Sequence, residues 1–475
     1  MTAWFVSWVI GFNYFVGIYF GVVNLVYTML LGISLFVILR YIKRIRYSAV
    51  KDFTSSPEVP PVSVLIPAYN EEGVILQAVN SALSLNYPFF EVIVINDGST
   101  DSSLERLITT YKLNRIDILY RNVIKTARVK GFYYNAETPN LWVIDKEKGG
   151  KADALNCGIN ACKSPYFCSA DADSVLESDS LIRLITPVME SSVPVVACGG
   201  VVRVLNGNKV KDGIVKEIDL PQSSLAMFQI VEYLRAFLFG RVGWDTMNAI
   251  LILSGTFSLF NKAAVAEAGG YDVKNVTEDM ELILKLHKYH TNYKKPYRIK
   301  FISDPICWSE APETFKMLGR QRRRWHMGLI QSIFQYKSLL FNPRYGNLGM
   351  FVFPYYLLFE VLGPLIEVLG YITVFISFSL GIVSADFFFL FLTLAIFYGV
   401  FLSTAGVFLE ELTYRRYPQW SHLFTLLIYG VLENFGYRQL NSFWRCQGMI
   451  LFLLGKRRWE HVEYKGIRLM PRQTT

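Results

Sequence analysis

"PYFCSADADS", residues 165–174, is an apolar run that closes on two aspartates, Asp171 and Asp173, two positions apart. Such a pair is either a solvated turn or two carboxylates at the end of a buried strand, and the rest of the chain decides between them. Six further short apolar runs share the pattern: "VSVLIP" (62–67), "EVIVIND" (91–97), "IDILY" (116–120), "LWVID" (141–145), "VVACGG" (195–200) and "LILSG" (251–255). Helix-length stretches such as "EEGVILQAVNSALS" and "KADALNCGINACK" lie between several of them. Runs of this kind predict parallel strands covered on both faces, and their alternation with helices predicts an α/β layered domain. Three of the strands end in polar clusters, "IPAYNEE", "INDGSTD" and "SADADS". Open α/β sheets bind ligands outside the carboxyl ends of their strands. Acids at three such ends favour a site over a solvated turn.

The flanks are of another kind. The chain has 475 residues, 52% hydrophobic and 18% charged, with a mean hydropathy of +0.29. That is too apolar for an ordinary soluble domain and too charged for a membrane bundle alone. No charge precedes Arg40. Residues 1–40 hold one spanning helix with a lead-in, or two tight ones, and lack the basic start of a cleaved signal. "RYIKRIRYSAVK" (40–51) is rich in Lys and Arg, which stay cytoplasmic, so residues 52–345 are expected in the cytosol. Spanning helices are expected again at 348–383 and 387–409. The stretch 421–455, interrupted by Glu433, Arg438 and Arg445, reads as a re-entrant hairpin or two interfacial helices. The expected division is therefore 1–40, 52–345, 346–460 and a tail, 461–475. The net charge of +9 gathers beside membrane segments and needs no nucleic acid to explain it. The six cysteines have no zinc-like spacing and read as core residues.

Asp171 and Asp173 suit one hard cation, Mg²⁺ or Mn²⁺, shared with substrate phosphates. No GxxxxGK[ST] occurs, which disfavours a P-loop enzyme. "KGGKADALN" puts Lys151 at a helix start behind two glycines, where an anion is favoured; a capped surface helix is the bland alternative. In "VTEDMEL", Thr277 reads as an N-cap with Glu278 and Asp279 in the first turn, and a carboxylate there can also act as a general base. In "QRRRW", Gln321, Arg324 and Trp325 share a helical face. Arg324 can clamp a diphosphate and Trp325 can stack on a sugar, while Arg322 and Arg323 are expected to meet lipid headgroups.

"PAYNE", "NDGS", "GGKADALN", "DADS", "TED" and "QRRRW", in that order between membrane segments, resemble the membrane-integrated family 2 glycosyltransferases. That group includes cellulose, hyaluronan and chitin synthases, and the wording looks closest to the bacterial poly-N-acetylglucosamine synthases. The resemblance implies a GT-A-type (Rossmann-like) domain set between membrane helices in a bacterial inner membrane. It implies a metal-dependent, inverting transferase that builds a β-linked polysaccharide from a UDP-sugar; addition of one or a few sugars to a lipid-linked acceptor is the alternative. By resemblance Tyr69, Glu71 and Asp97 hold the uridine, and Lys151 the diphosphate. Asp171 faces the nucleotide, and Asp173 is the more direct metal ligand. Asp279 is the base, with Glu278 beside it. Ser254 and Gly255 line the acceptor site, and Gln321, Arg324 and Trp325 bind the diphosphate and the acceptor's last sugar. An export or helper subunit is a further expected partner. A fused cyclic-dinucleotide domain is not expected, and "RNVIKTARVKGFYYNAETPN" (121–140) has no counterpart role.

Overall fold

A computed structural model describes residues 3–47, 59–414, 416–417 and 419–456. The end of the first basic cluster, the start of the expected cytosolic domain and the tail 461–475 lie outside the described residues. The chain divides into two compact units. One takes residues up to 40, 223–244 and 312 onward; the other takes 41–222 and 245–311.

The second unit is built on a ten-stranded mixed sheet. Its strands in chain order are β1 (Val62–Ala68), β2 (Phe90–Asp97), β3 (Asn114–Ile116), β4 (Val129–Tyr134), β5 (Leu141–Lys146), β6 (Tyr166–Ala170), β7 (Ser174–Leu176) and β8 (Val195–Val204). After a separate hairpin of β9 (Lys209–Lys211) and β10 (Ile214–Glu217) come β11 (Phe257–Asn261) and β12 (Arg298–Ser309). The order across the sheet is β3-β4-β5-β2-β1-β6-β11-β8-β12-β7. β5, β2, β1 and β6 run parallel, as do β8 and β12. β11 runs antiparallel between β6 and β8, and β4 runs antiparallel to β5.

The parallel centre follows from composition: six of the seven residues of β1 and all ten of β8 are buried. Helix Ile75–Leu83 lays Ile75, Ala78, Val79 and Ala82 inward at helical spacing. Helix Lys151–Ala161 packs so closely that a Cβ on Gly158 would stand 3.0 Å from both Ile95 and Leu65. Two expected strands differ. "LILSG" is not a strand, and β11 begins only at Phe257; "IDILY" contributes only Ile116 to β3. The unexplained segment 121–140 contains β4, and it is strapped to helix Lys151–Ala161. Ile124 donates its N–H to Asn160 Oδ1 (2.9 Å), Asn160 returns a bond to Ile124 O (2.7 Å), and Ala127 N–H bonds Asp153. Five cysteines of this unit are buried as expected.

The first unit is helical. Among the described residues, Trp4–Tyr41 and Ala385–Thr413 are long and apolar enough to cross a membrane. The expected span at 348–383 is a helix pair, Leu348–Val361 and Gly363–Ser379, apolar enough together to cross a membrane and bent by 45°. Pro364 sits at the break, where it has no N–H to offer the ladder. The first apolar stretch forms one continuous helix, Ala3–Tyr47, rather than two. Its polar side chains are tied in: Asn13 donates to Ser377 Oγ (2.8 Å), Asn24 to Leu394 O (2.8 Å) and Ser34 to Phe239 O (2.9 Å). The stretch 421–455 forms two helices, Trp420–Leu432 and Arg438–Leu453, separated by a break at Phe435 and Gly436, the latter at φ 108°.

Candidate active site

The site of the α/β unit forms where β1, β2, β5 and β6 end. β1 runs into Tyr69, Asn70 and Glu71, and Asn70 adopts φ 56°. Hydrogen bonds tie this turn to the one after β2: Asn70 N–H to Ser99 Oγ (3.0 Å), Glu71 N–H to Ser103 Oγ (2.8 Å) and Thr100 N–H to Asn70 Oδ1 (2.8 Å). Lys148 places its ammonium 3.8 Å above the Tyr69 ring.

Asp97 and Lys146 are the last residues of β2 and β5 and lie opposite each other in register. Lys146 is fully buried and bridges two carboxylates, Asp97 (2.5 Å) and Asp153 (2.6 Å). Burial pulls its ammonium down, but the hydrogen bonds it donates to Asp153 and Asp97 outweigh that and hold it above the usual lysine value. Asp97 also accepts the N–H groups of Gly149 (2.9 Å) and Gly150 (2.7 Å). Both of its oxygens are thus engaged in shaping the glycine turn before Lys151. Gly150, at φ 92°, needs its missing side chain there.

Lys151 starts its helix and pairs with Asp171 (2.6 Å) and Glu278 (3.1 Å). Desolvation lowers its basicity, but Asp171 and Glu278 raise it further, so it stays charged. Asp173 is raised to about 7 by burial and then by Asp171, and Glu310 adds to this. Glu71 is raised to about 8 by burial and then by Asp173 and Asp171. This crowd of like charge is short of cations, and a divalent cation would relieve it. The oxygens of Asp171 and Asp173 are the hard donors such an ion takes. Among the described residues no three His, Cys, Asp or Glu side chains are grouped to hold a metal by themselves.

Beside Lys151 a cleft is lined by Ser254, Gly255, Tyr271, Glu278 and Asp279, with Leu155 and Leu253 as apolar walls. Asp279 Oδ2 accepts the Gly255 N–H (3.2 Å), and Oδ1 accepts that of Met280 (2.9 Å). Thr277 occupies the expected N-cap position of helix Glu278–Asn292, but its hydroxyl bonds Asn275 (3.4 Å) rather than the helix end. Tyr271 is pushed up by burial and stays protonated. Asn156 fixes its backbone with two bonds, to Tyr271 N–H (2.8 Å) and O (2.9 Å).

Sequence reasoning named most of this set but missed Lys146, Lys148, Asn156 and Tyr271. The signal for the first two was the lysine repeat in "DKEKGGK", where Lys146 falls at the end of an apolar run.

Gln321, Arg324 and Trp325 belong to the helical unit, on helix Phe315–Gln335. Gln321 is buried and its Oε1 has no partner among the described residues, while Trp325 is 37% exposed. Arg322 does not reach outward as expected. It is buried, pairs with Glu232 (2.8 Å) and lies 4.6 Å from the Trp325 ring centre. Arg323 bonds Gln447 (3.2 Å).

The family described as "Glycosyltransferase like family 2" matches residues 60–328. A poly-β-1,6-N-acetyl-D-glucosamine synthase of Staphylococcus epidermidis is 29% identical over 272 residues, 57% of this chain and 55% of that protein. The Staphylococcus aureus synthase of the same name is 29% identical over 292 residues, 61% and 59% of the two chains. The match thus spans a little over half the length of these relatives. A mannosyltransferase of Pyrobaculum calidifontis, solved with GDP-Man and Mn²⁺, superposes with a TM-score of 0.51 at 17% identity, over 89% of this chain and 99% of that one. That likeness shows the fold alone, a GT-A-like α/β fold.

Proposed function

The chain belongs to glycosyltransferase like family 2, and from that footing we propose that it extends a β-linked polysaccharide from a UDP-sugar by a single inverting displacement. The observation that carries the reading is the Lys151 bridge between Asp171 and Glu278, with Asp279 beside it in the same cleft. It puts a half-buried cation and a carboxylate base where a departing diphosphate and an attacking hydroxyl would meet. The names of the two relatives support a polysaccharide product over a lipid-linked acceptor.

In this reading Tyr69 and Lys148 meet the nucleobase, Glu71 and Asp97 border it, and Lys151 meets the diphosphate. Asp279 accepts the proton of the acceptor hydroxyl, with its own orientation held by the Gly255 N–H. The hydroxyl attacks the anomeric carbon from the face opposite UDP, so an α-linked donor gives a β-linked product. Asp171 and Asp173 would hold Mg²⁺ or Mn²⁺, whose positive charge would stabilise the leaving diphosphate. Ser254 and Gly255 border the acceptor; Gln321, Arg324 and Trp325 serve the diphosphate and the last sugar. The chain is read as a multi-pass protein of a bacterial inner membrane. Its α/β unit faces the cytoplasm, where the donor is made and where the basic cluster after the first helix would hold it. A helper subunit for export fits this arrangement.

The test is Asp279→Asn, with UDP release measured in detergent for each common UDP-sugar. Loss of a general base predicts a fall of roughly 10²- to 10⁴-fold with an unchanged melting temperature. Full activity in a folded Asp279→Asn protein would refute the base and, with it, the catalytic reading of the cleft.

A further inference from the structure

Trp325 is presented at the surface of its helix by a buried ionic relay. Arg322, one turn earlier, stacks its guanidinium against the indole at 4.6 Å and pairs with Glu232 at 2.8 Å. Tyr437 donates its hydroxyl to the same Glu232 oxygen at 2.7 Å. Tyr437 follows the helix break at Phe435 and Gly436, and its ring stacks on Phe228 at 4.8 Å. A second ion pair locks the same two segments, Arg235 to Glu433 at 2.5 Å.

The helix that carries Trp325 has no slack against its neighbour. A Cβ on Gly319 would meet the Trp444 indole at 2.9 Å, and one on Gly448 would meet Arg323 O at 2.8 Å. The helix therefore sits hard against Arg438–Leu453, and Arg322 is held from the other side. The indole rests on a cation held by Glu232, and Glu232 is held in turn by the Tyr437 hydroxyl. A planar guanidinium suits this role: it can stack with one face while its edge makes the ion pair.

We propose that Arg322, Glu232 and Tyr437 are positioning residues that set the plane of Trp325, and thereby the pose of the saccharide ring that stacks on it. The relay rests on the reading of Trp325 as the platform for the acceptor's last sugar. It adds that the break at Phe435–Gly436 controls that platform through Tyr437. No member of the relay touches substrate. Each acts by limiting the angles the indole can adopt, so its effect must vanish when the indole is absent.

Two measurements test this on the full chain in detergent. The first reads the ring directly. With 5-fluorotryptophan incorporated, the ¹⁹F resonance of Trp325 is assigned by its loss in Trp325→Phe. A single resonance is expected in the native protein, shifted or split in Glu232→Gln and in Tyr437→Phe. An unmoved resonance in both variants overturns the relay whatever Trp325 does in catalysis. The second is a cycle on function, with product length and UDP release read from the same samples. Glu232→Gln and Tyr437→Phe should shorten the product roughly 2- to 30-fold, the range of a desolvated cation–π contact. In a Trp325→Ala background they should add nothing. Equal effects in both backgrounds overturn the relay. A Trp325→Ala protein with native product length would instead defeat the platform reading, leaving the resonance test to judge the relay alone. Tyr437→Phe keeps the stack on Phe228, so it guards against a Glu232→Gln protein that fails to fold.

Discussion

Lys146→Met isolates the buried hub that shapes the glycine turn before Lys151. The native ammonium is wholly buried and joins Asp97 and Asp153 at 2.5 and 2.6 Å, with a third bond to Glu147 O at 2.7 Å. Methionine fills similar space but strands two carboxylates. Removing one partner of a buried pair costs about 3–5 kcal/mol. Here the lower end applies, because Asp97 keeps the N–H groups of Gly149 and Gly150 and Asp153 keeps that of Ala127. A loss of about 3 kcal/mol in a unit of this size lowers the melting temperature by roughly 6–12 °C.

In a Cys446→Ser background, which removes the half-buried thiol of the helical unit, the readout can be confined to the α/β unit. Cys157, Cys162, Cys168, Cys198 and Cys307 are buried and all belong to it, so a thiol-reactive dye follows its unfolding. The pH course is also set. The Lys146 pKa is raised on folding, so its stabilisation is complete below the unfolded lysine value and fades only as pH climbs through the higher folded one. The gap between native and variant should therefore stay level from about pH 6 to 9, well below the lysine range. Adding Asp153→Asn to Lys146→Met removes one stranded charge and should recover part of the loss. If Lys146→Met melts like the native protein, or if the two losses simply add, the hub does not hold the turn.

Two other outcomes follow from the cleft. A Cβ at Gly255 would stand 3.0 Å from Asp279 Oδ2 and 3.4 Å from its Cβ and Cγ. Gly255→Ala should displace the base and cut turnover roughly 10- to 100-fold, with little change in melting; undiminished turnover would remove the Gly255 contact from the mechanism. Glu71 and Asp173 are raised to about 8 and about 7. Carboxylates raised on folding stabilise below their unfolded values and lose that contribution as pH rises through the folded ones. In chelator, the α/β unit should melt lower at pH 8.5 than at pH 6, and Mg²⁺ or Mn²⁺ should restore more at the higher pH. A metal effect that is the same at both values, or turnover that persists in excess chelator, would take Asp171 and Asp173 out of the metal role.

The centre of the sheet was legible because β1, β2, β5 and β6 each carry a short, mostly apolar buried run, which must be covered on both faces. The edges were not. β3 is three residues long, and β4 carries Lys130 and Gly131 in its middle, so neither gives a continuous run. "LILSG" misled for a different reason. Ala249, Ile250, Leu251 and Leu253 are almost wholly buried without joining the sheet. The Ile250 carbonyl is satisfied by His287 Nε2 at 2.8 Å, and burial depresses His287 to about 4, which keeps that ring neutral. Apolar burial demands that backbone groups be paired, not that a strand pair them.

The same distinction governs the site. An acid after an apolar run marks a strand end, and that is why Asp97, Asp171 and the turn at Glu71 could be named from sequence. What the run cannot give is the partner each acid takes across the sheet. Register decides that: β2 and β5 end level, so Asp97 meets Lys146 and spends both oxygens on the turn. β6 lies beyond β1, two strands over from β2, so Asp171 meets Lys151 at the start of the helix that leads into β6. Two lysines five residues apart, "KEKGGK", thus take opposite roles. One is sealed in the core as a brace; the other, a third exposed, pairs with Asp171 and Glu278 beside the cleft. The glycine turn between them, with Gly150 at φ 92°, is therefore as much part of the site as the lysine it presents.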